Sequence, residues 1–585
     1  MEIHVLSLKD SAHAAKRERG YLRARMLLRA ATITFSGLLL ASCAGTMPAQ
    51  TPPLNFHIPQ DPTSLTSSAL KQMLSGKSAV LPQLVGFYEM RGFQPVWTSS
   101  LEGLEMEAEI RGVLSHADEQ GLRVEDYLLP TFGKPASGEK AAQYDIAITA
   151  ALFRYARDVK SGRLQPNNVY MDIKLPAVSY DAVADVSEAL KSHTLKGFFE
   201  TLTPPHPEYR RLVAALAKYR AIDEAGGWSS VSGSSEIKLD GKDSRIEWLI
   251  ARLSVEDPIL VALEKPSRAE LTNAVRRFQL RNGLSQDGRV GDATLAALNV
   301  PASVRVEQIA ANLERWRWVP AFEQRYIAVN VPDQSVRFVR DGSIALSSRV
   351  VVGRKASPTP ITRSEIEAVV VNPPWNIPGD IAARDLLPQL RKNPNYLAAK
   401  HMVVTDGLPN DPYGRKINWR TVDPAEFPYA IKQLPGPTTA LGALMLDSPN
   451  DFDVYLHDTP NKKLFDLTER EISNGCIRVQ QIFPLASLAL TGDTDEGMAM
   501  LNKVAKTRQT KRLALDEPLP VYFLYWTVIA GENGSVQFRP DIYERDAPLI
   551  TALKSDDRGV KAAKARIDTR VSERPAMSED DDPSP

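Results

Sequence analysis

The spacing of apolar residues changes several times along the chain, and each change marks an element. From Tyr144 to Val159, Ala151, Leu152, Tyr155 and Val159 fall at helical spacing. Similar patterns around Leu84–Tyr88, Phe93–Trp97 and Glu107–His116 predict an α-rich region over residues 66–257, with Gly226–Asp243 as a loop inside it. Leu271–Gln279 reads as an amphipathic helix, Asn282–Gly291 as a loop with turn-forming glycines, and Asp292–Asn299 as a second helix. Leu313–Pro320 predicts a helix within a linker spanning 303–323. Strand patterns then take over at Arg325–Val331, Ser335–Arg340 and Ile344–Val352, with turns at Pro332-Asp333 and Asp341-Gly342. Residues 379–434 break that pattern with a helix over Asp380–Arg391 and a polar, aromatic stretch reaching Tyr429. An insertion of this size in a β domain is expected to be a lid, with Trp419, Phe427 and Tyr429 as its apolar anchors. Strands return at Gly442–Met445 and Asp453–Leu456, and helices follow at Ile482–Leu490 and about Glu496–Lys506. Val521–Val528 predicts a long buried strand, closed by a turn at Gly531–Gly534.

At 585 residues the chain exceeds one core, so two to four domains are expected. Lys+Arg and Asp+Glu both number 71, a net charge of +0, which gives no electrostatic support for a nucleic-acid partner. Met26–Arg29 and the short apolar run Ala30–Leu40 have the layout of an export signal, too short to span a bilayer comfortably, and Met26 is an alternative start. Residues 44–65 read as a flexible tether, and 551–585 as a disordered charged tail.

The chain has two cysteines, Cys43 in the signal region and Cys476 in the body. His457 lies nineteen positions before Cys476. A free thiol has a pKa of about 8.5, so an imidazole beside it can make most of it thiolate near neutrality. Gly475 removes bulk beside the sulfur, and the N–H groups of Asn474, Gly475 and Cys476 can converge on an oxyanion. Arg478 suits a substrate carboxylate. Against this stands the ordinary fate of a lone cysteine, that of a small buried hydrophobe. Scattered histidines and a single body thiol offer no metal site, and no cofactor is expected.

The run from Tyr455-Leu456-His457-Asp458 to Ser473-Asn474-Gly475-Cys476-Ile477-Arg478 resembles the catalytic signature of the L,D-transpeptidases (YkuD type). Asn474 stands where many members have a second histidine; a smaller branch of large periplasmic enzymes lacks that histidine, and Val369–Pro378 resembles that branch too. Phe278-Gln279, Asp287-Gly288 and Thr294-Leu295 resemble a small three-helix peptidoglycan-binding domain over 258–302, and Leu40-Ala41-Ser42-Cys43 resembles a bacterial lipobox.

These resemblances imply a multidomain α+β protein. It would have a signal over 1–43, a scaffold domain over 66–257, the three-helix module, and a mostly-β catalytic domain over 324–550 with the lid inserted. The implied reaction is 3→3 cross-linking of peptidoglycan stem tetrapeptides, with Cys476 as nucleophile and His457 as base and acid. The backbone carbonyl of Asp458 would fix the imidazole tautomer. Asn474 and Gly475 would serve the oxyanion, and Arg478, Tyr455, Trp375 and Ser473 the substrate. Lipidation at Cys43 implies a membrane-anchored periplasmic protein and, by the same resemblance, a carbapenem target. Two alternatives stay open: the same fold attaching or releasing an outer-membrane protein at the wall, or an inactive peptidoglycan-binding lipoprotein.

Overall fold

The computed structural model describes residues 62–77, 82–130, 138–192, 194–233, 236–406 and 410–555. The signal region with Cys43, residues 44–61 of the tether and residues 556–585 of the tail lie outside the described residues. No helix among the described residues is long and apolar enough to cross a membrane.

Helices α1 (Pro62–Leu74), α2 (Pro82–Met90), α3 (Leu101–Leu114), α4 (Glu139–Ser161), α5 (Ala182–Lys191) and α6 (Leu195–Leu202) build the α-rich region. The long α4 is its axis, because its apolar stripe meets Phe87, Tyr88, Trp97, Leu114 and Val186 in one core. Asp145 is buried at the centre and accepts hydrogen bonds from Tyr88 Oη at 2.8 Å and the Trp97 amide at 2.9 Å. Helix starts at Pro62, so the last four residues assigned to the tether are helical; Leu70 and Leu74 give that segment a core to bind.

After α7 (Pro207–Glu224) comes the small module, larger than its sequence signature. Helices α8 (Ile246–Ser254), α9 (Arg268–Arg281) and α10 (Asp292–Leu298) share a core of Leu249, Leu253, Leu271, Phe278 and Leu295. Ile237, in the stretch read as a scaffold loop, pairs with Val290 and joins that core. The boundary placed at 257 therefore moves upstream, since α8 supplies part of the apolar surface that α9 and α10 cannot bury alone. The Phe-Gln and Asp-Gly elements are also explained: Gln279 Oε1 accepts from the Gly288 amide at 2.9 Å, and its Nε2 donates to the Asp287 carboxylate at 2.7 Å.

Helix α11 (Ala302–Arg317) is twice the length of the segment singled out in the sequence, and it ties the regions together through buried charge. Arg315 meets Asp546 at 2.6 Å, and Arg317 meets Glu314 at 3.0 Å, all four side chains being almost wholly buried.

The C-terminal region is a closed barrel. Its strands are β2 (Arg325–Asn330), β3 (Ser335–Arg340), β4 (Ser343–Gly353), β5 (Ile361–Val371), β9 (Leu444–Asp447), β10 (Leu456–His457), β12 (Ile477–Val479) and β13 (Lys511–Leu524). They are ordered β5-β13-β2-β3-β4-β12-β10-β9, and β9 pairs back onto β5. A short β11 (Glu471–Ser473) lies parallel to the end of β4. The α-rich region adds β1 (Ile173–Lys174), parallel to β5. The β3–β4 turn has positive φ at both Asp341 and Gly342, as a two-residue hairpin demands. Helices α12 (Ile482–Thr491) and α13 (Thr494–Ala505) pack on the barrel core, which holds Val329, Val352, Val369, Leu446, Leu456, Ile477 and Phe523.

Two elements differ from the pattern-based reading. β13 begins at Lys511 and ends at Leu524 rather than running over Val521–Val528; its first half is exposed, so no apolar run announces it. Helix α14 (Asp546–Lys554) occupies the start of the supposed tail, with Leu549, Ala552 and Leu553 in the barrel core.

The insertion forms its own small unit. It has a three-stranded sheet of β6 (Trp375–Ile377), β7 (Met402–Val404) and β8 (Ile431–Gln433), in the order β6-β8-β7. Its helical arm runs through an α-turn at Gly379–Ile381, a π-turn at Ala382–Leu386 and an α-helix at Leu387–Lys392. Trp419 is its buried anchor, with Phe427 and Tyr429 against it.

Candidate active site

Strands β10 and β12 lie side by side and parallel, Leu456 opposite Ile477 and His457 opposite Arg478. Leu456 and Ile477 point into the barrel core. Alternation along the strands therefore sends His457 and Arg478 to the other face, and one residue before each strand Tyr455 and Cys476 follow the same alternation. The partners lie 21 positions apart in the sequence; strand pairing sets His457 beside Arg478 and Tyr455 beside Cys476, and the Cys476 sulfur hydrogen-bonds the Asp453 carbonyl, not the His457 ring.

His457 is buried. Its Nδ1 lies 2.6 Å from the Asp458 carbonyl oxygen. A carbonyl only accepts, so Nδ1 carries the proton and Nε2 is the basic nitrogen. Burial, reinforced by the nearby Arg478 guanidinium, drives the imidazole pKa down to about 3. Asp458 itself faces away from the ring: its carboxylate accepts from the Ala443 amide at 2.9 Å and pairs with Lys462. Gly442 makes room for it, since a side chain there would begin 2.5 Å from Asp458 Cβ.

Cys476 is half-buried, with its sulfur 3.6 Å from the Asp453 carbonyl. Burial pushes the thiol pKa up, while the Tyr455 amide and the Arg478 charge act in the opposite direction. The expectation of a thiol held as thiolate by a charged imidazole is not what this environment favours. Both groups sit in a desolvated setting that stabilises the neutral thiol and the neutral ring.

The turn that carries Cys476 is held from below. Ser473 Oγ donates to the Cys476 carbonyl at 2.7 Å and accepts from the Gly475 amide at 3.1 Å. Gly475 adopts φ +116, which only glycine takes without strain. Thr359 Oγ1 donates to the Gly475 carbonyl at 2.7 Å and accepts from the Gly353 amide at 2.9 Å. Tyr543 Oη in turn donates to Gly353 O.

The expected site residues thus separate. Ser473 is buried, and its hydroxyl staples the turn. The Gly475 amide is committed to Ser473, so the expected convergence of three amides is reduced to those of Asn474 and Cys476. Asn474 is exposed, but its Oδ1 accepts from Arg384 Nη2 of the insertion at 3.0 Å. Tyr455 sits beside the thiol, its hydroxyl 3.2 Å from Asp453. Trp375 does not join them: it opens β6 opposite Gln433 and packs on the insertion core. Thr359, Tyr543 and Arg384 are the residues that sequence reasoning missed. The insertion's mixed pattern was the one signal pointing toward Arg384.

Residues 324–503 match the L,D-transpeptidase catalytic domain (YkuD), residues 264–298 a "putative peptidoglycan binding domain", and residues 82–216 a scaffold domain. The mostly-β region behind the α-rich N-terminal region is thus similar to an L,D-transpeptidase catalytic domain over residues 324–503. A "putative L,D-transpeptidase" of Haemophilus influenzae (strain KW20 / Rd) is 37% identical over 248 residues, 42% of this chain and 49% of the relative. The matched stretch spans about half the length of that relative. Among solved structures, the Ldtfm–avibactam carbamoyl enzyme is 13% identical over 43% of this chain and 80% of its own, with a TM-score of 0.18. A Cys-to-Ser mutant of the Enterococcus faecium L,D-transpeptidase is 14% identical over 43% and 82%, also at 0.18. At that score the superposition does not bear on the assignment.

Proposed function

We propose that the catalytic domain joins peptidoglycan stem peptides by ping-pong acyl transfer through Cys476, forming 3→3 links between diaminopimelate residues. The observation that supports this most is the pairing of β10 with β12, together with a family match that includes both strands. Cys476 attacks the carbonyl of the third residue of a tetrapeptide donor as Nε2 of His457 takes the thiol proton. The C–N bond to D-Ala breaks, the proton passes to the departing amine, and a thioester remains. The side-chain amine of a second stem attacks that thioester, His457 takes its proton, and the amide forms as the thiol is restored. The amides of Asn474 and Cys476 stabilise the oxyanion, and Arg478 lies on the face where the donor binds. The Asp458 carbonyl keeps the proton on Nδ1 throughout.

This reaction needs no charged pair at rest. With the ring's pKa lowered and the thiol's raised, proton transfer ahead of bond formation is uphill, so the proton moves in concert with S–C bond formation. Lipid attachment at Cys43 would hold the enzyme on the envelope membrane, facing its wall substrate outside the cytoplasm.

Purified disaccharide-tetrapeptide incubated with the full chain should give 3→3 dimers by mass spectrometry. Cys476→Ala and, separately, His457→Ala should lose them with the circular dichroism spectrum intact. Dimers formed by the Cys476→Ala protein would disprove the mechanism. A carbapenem should add its mass to the wild-type chain and not to Cys476→Ala.

A further inference from the structure

The turn that carries the thiol is flanked by two guanidinium groups that the mechanism above does not use. Arg354 follows β4, whose last residue, Gly353, pairs with Ser473. The Arg354 amide donates to the Ser473 carbonyl at 2.9 Å, so this residue is anchored to the turn by its backbone. Gly353 packs so closely that a Cβ there would stand 3.0 Å from the Gly475 Cα. The half-buried Arg354 side chain has no hydrogen-bond or ion-pair partner among the described residues. The second group, Arg384, comes from the π-turn of the insertion and donates to Asn474 Oδ1 at 3.0 Å. It also grips its neighbour Asp385 at 2.8 and 2.9 Å. Burial pushes the Arg354 pKa down and repulsion from Arg384 pushes it further, against an upward pull from the Asp385 carboxylate.

Asp385 grips Arg384 and Asp380 draws on it too, so both nearby carboxylates are engaged by Arg384, and neither hydrogen-bonds Arg354. A half-buried arginine without an internal partner, repelled by a second arginine, is costly unless an anion completes it. The donor brings such an anion. In a tetrapeptide the scissile carbonyl is three bonds from the free carboxylate of the departing residue, so a group that binds this carboxylate must lie close to the nucleophile.

We propose that Arg354 and Arg384 form a carboxylate subsite that holds the terminal carboxylate of the acyl donor. This rests on the acyl-transfer reading for its substrate, but the subsite itself rests on the geometry. One arginine comes from the barrel and the other from the insertion, so the bound carboxylate bridges the two. The subsite selects donors that end one residue past the scissile bond, because a longer or amidated donor offers no anion at this position.

The test uses two alkylating agents of similar size on the full chain. Iodoacetate carries a carboxylate and iodoacetamide does not, and both react at Cys476, read by intact mass. The iodoacetate-to-iodoacetamide rate ratio should fall about fivefold in Arg354→Gln and in Arg384→Gln, and further in the double variant, as expected for loss of a charge-assisted contact. The iodoacetamide rate should stay within about twofold, because that reagent reads thiol reactivity alone. An unchanged ratio, or parallel loss of both rates, would overturn the subsite. Tetrapeptide donors should lose kcat/KM in the same variants, whereas donors ending in a carboxamide should be slow in wild type and unaffected by the substitutions. If the ratio shifts as expected but no enzyme form makes dimers, the subsite stands and the acyl-transfer reading fails. If dimers form while the ratio stays unchanged, acyl transfer stands and the subsite fails.

Discussion

At the scale of single residues, the site is governed by desolvation. His457 is buried and Cys476 half-buried, and burial displaces each toward its neutral form. The rate of Cys476 alkylation by iodoacetamide should therefore climb through neutral pH and continue past about pH 9, beyond the range of an ordinary thiol. A plateau already reached below neutrality would reveal a thiolate–imidazolium pair instead. His457 also links stability to pH. Its pKa is near 6.5 in the unfolded chain and about 3 when folded, so between these values the unfolded chain binds the extra proton. Stability is therefore lost as pH falls through that window, by at most about 1.4 kcal/mol per unit from this group. His457→Gln should flatten the fall in Tm between about pH 7 and pH 5; identical slopes in the two proteins would refute the buried neutral ring.

At the scale of elements, the catalytic turn is a rider on its supports. Thr359 satisfies the Gly475 carbonyl and the Gly353 amide with one hydroxyl, so Thr359→Val orphans two buried backbone groups. It should cost about 1–3 kcal/mol and slow cross-linking more than the loss of stability explains. A Tm and a rate both equal to wild type would show that the turn holds itself. Gly442→Ala places a Cβ against Asp458 at a positive φ and should cost about 1–3 kcal/mol. Crystallography of that variant should find the Asp458–Lys462 pair displaced.

At the scale of the whole molecule, buried charge joins α11 to the barrel and to α14. Arg315 and Asp546 are separated by more than two hundred positions and are both almost wholly buried. Asp546→Ala leaves an arginine uncompensated and should cost about 3–5 kcal/mol. Thermal unfolding of that variant should show a large drop in the main transition; a shift of under a degree would mean that water already screens the pair. The module is joined in a similar way, since Arg539 of the barrel region donates to the Leu280 and Arg281 carbonyls at 3.2 Å.

The primary sequence determined the strands with clean alternation, the helices at Leu271–Gln279 and Ile482–Leu490, and the candidacy of Cys476 and His457. These are local: a period, a turn residue or a lone thiol is visible in a short window. It did not yield α8 as part of the module, α14 as part of the barrel core, or the exposed half of β13, because those elements are stabilised by partners far along the chain. It suggested an acidic thiol, whereas the half-buried setting in the fold pushes the thiol pKa up, since pKa depends on solvent exclusion that no spacing records. Only the tertiary structure brought Thr359, Tyr543, Arg354 and Arg384 to the turn, because barrel closure and the docking of the insertion set those contacts.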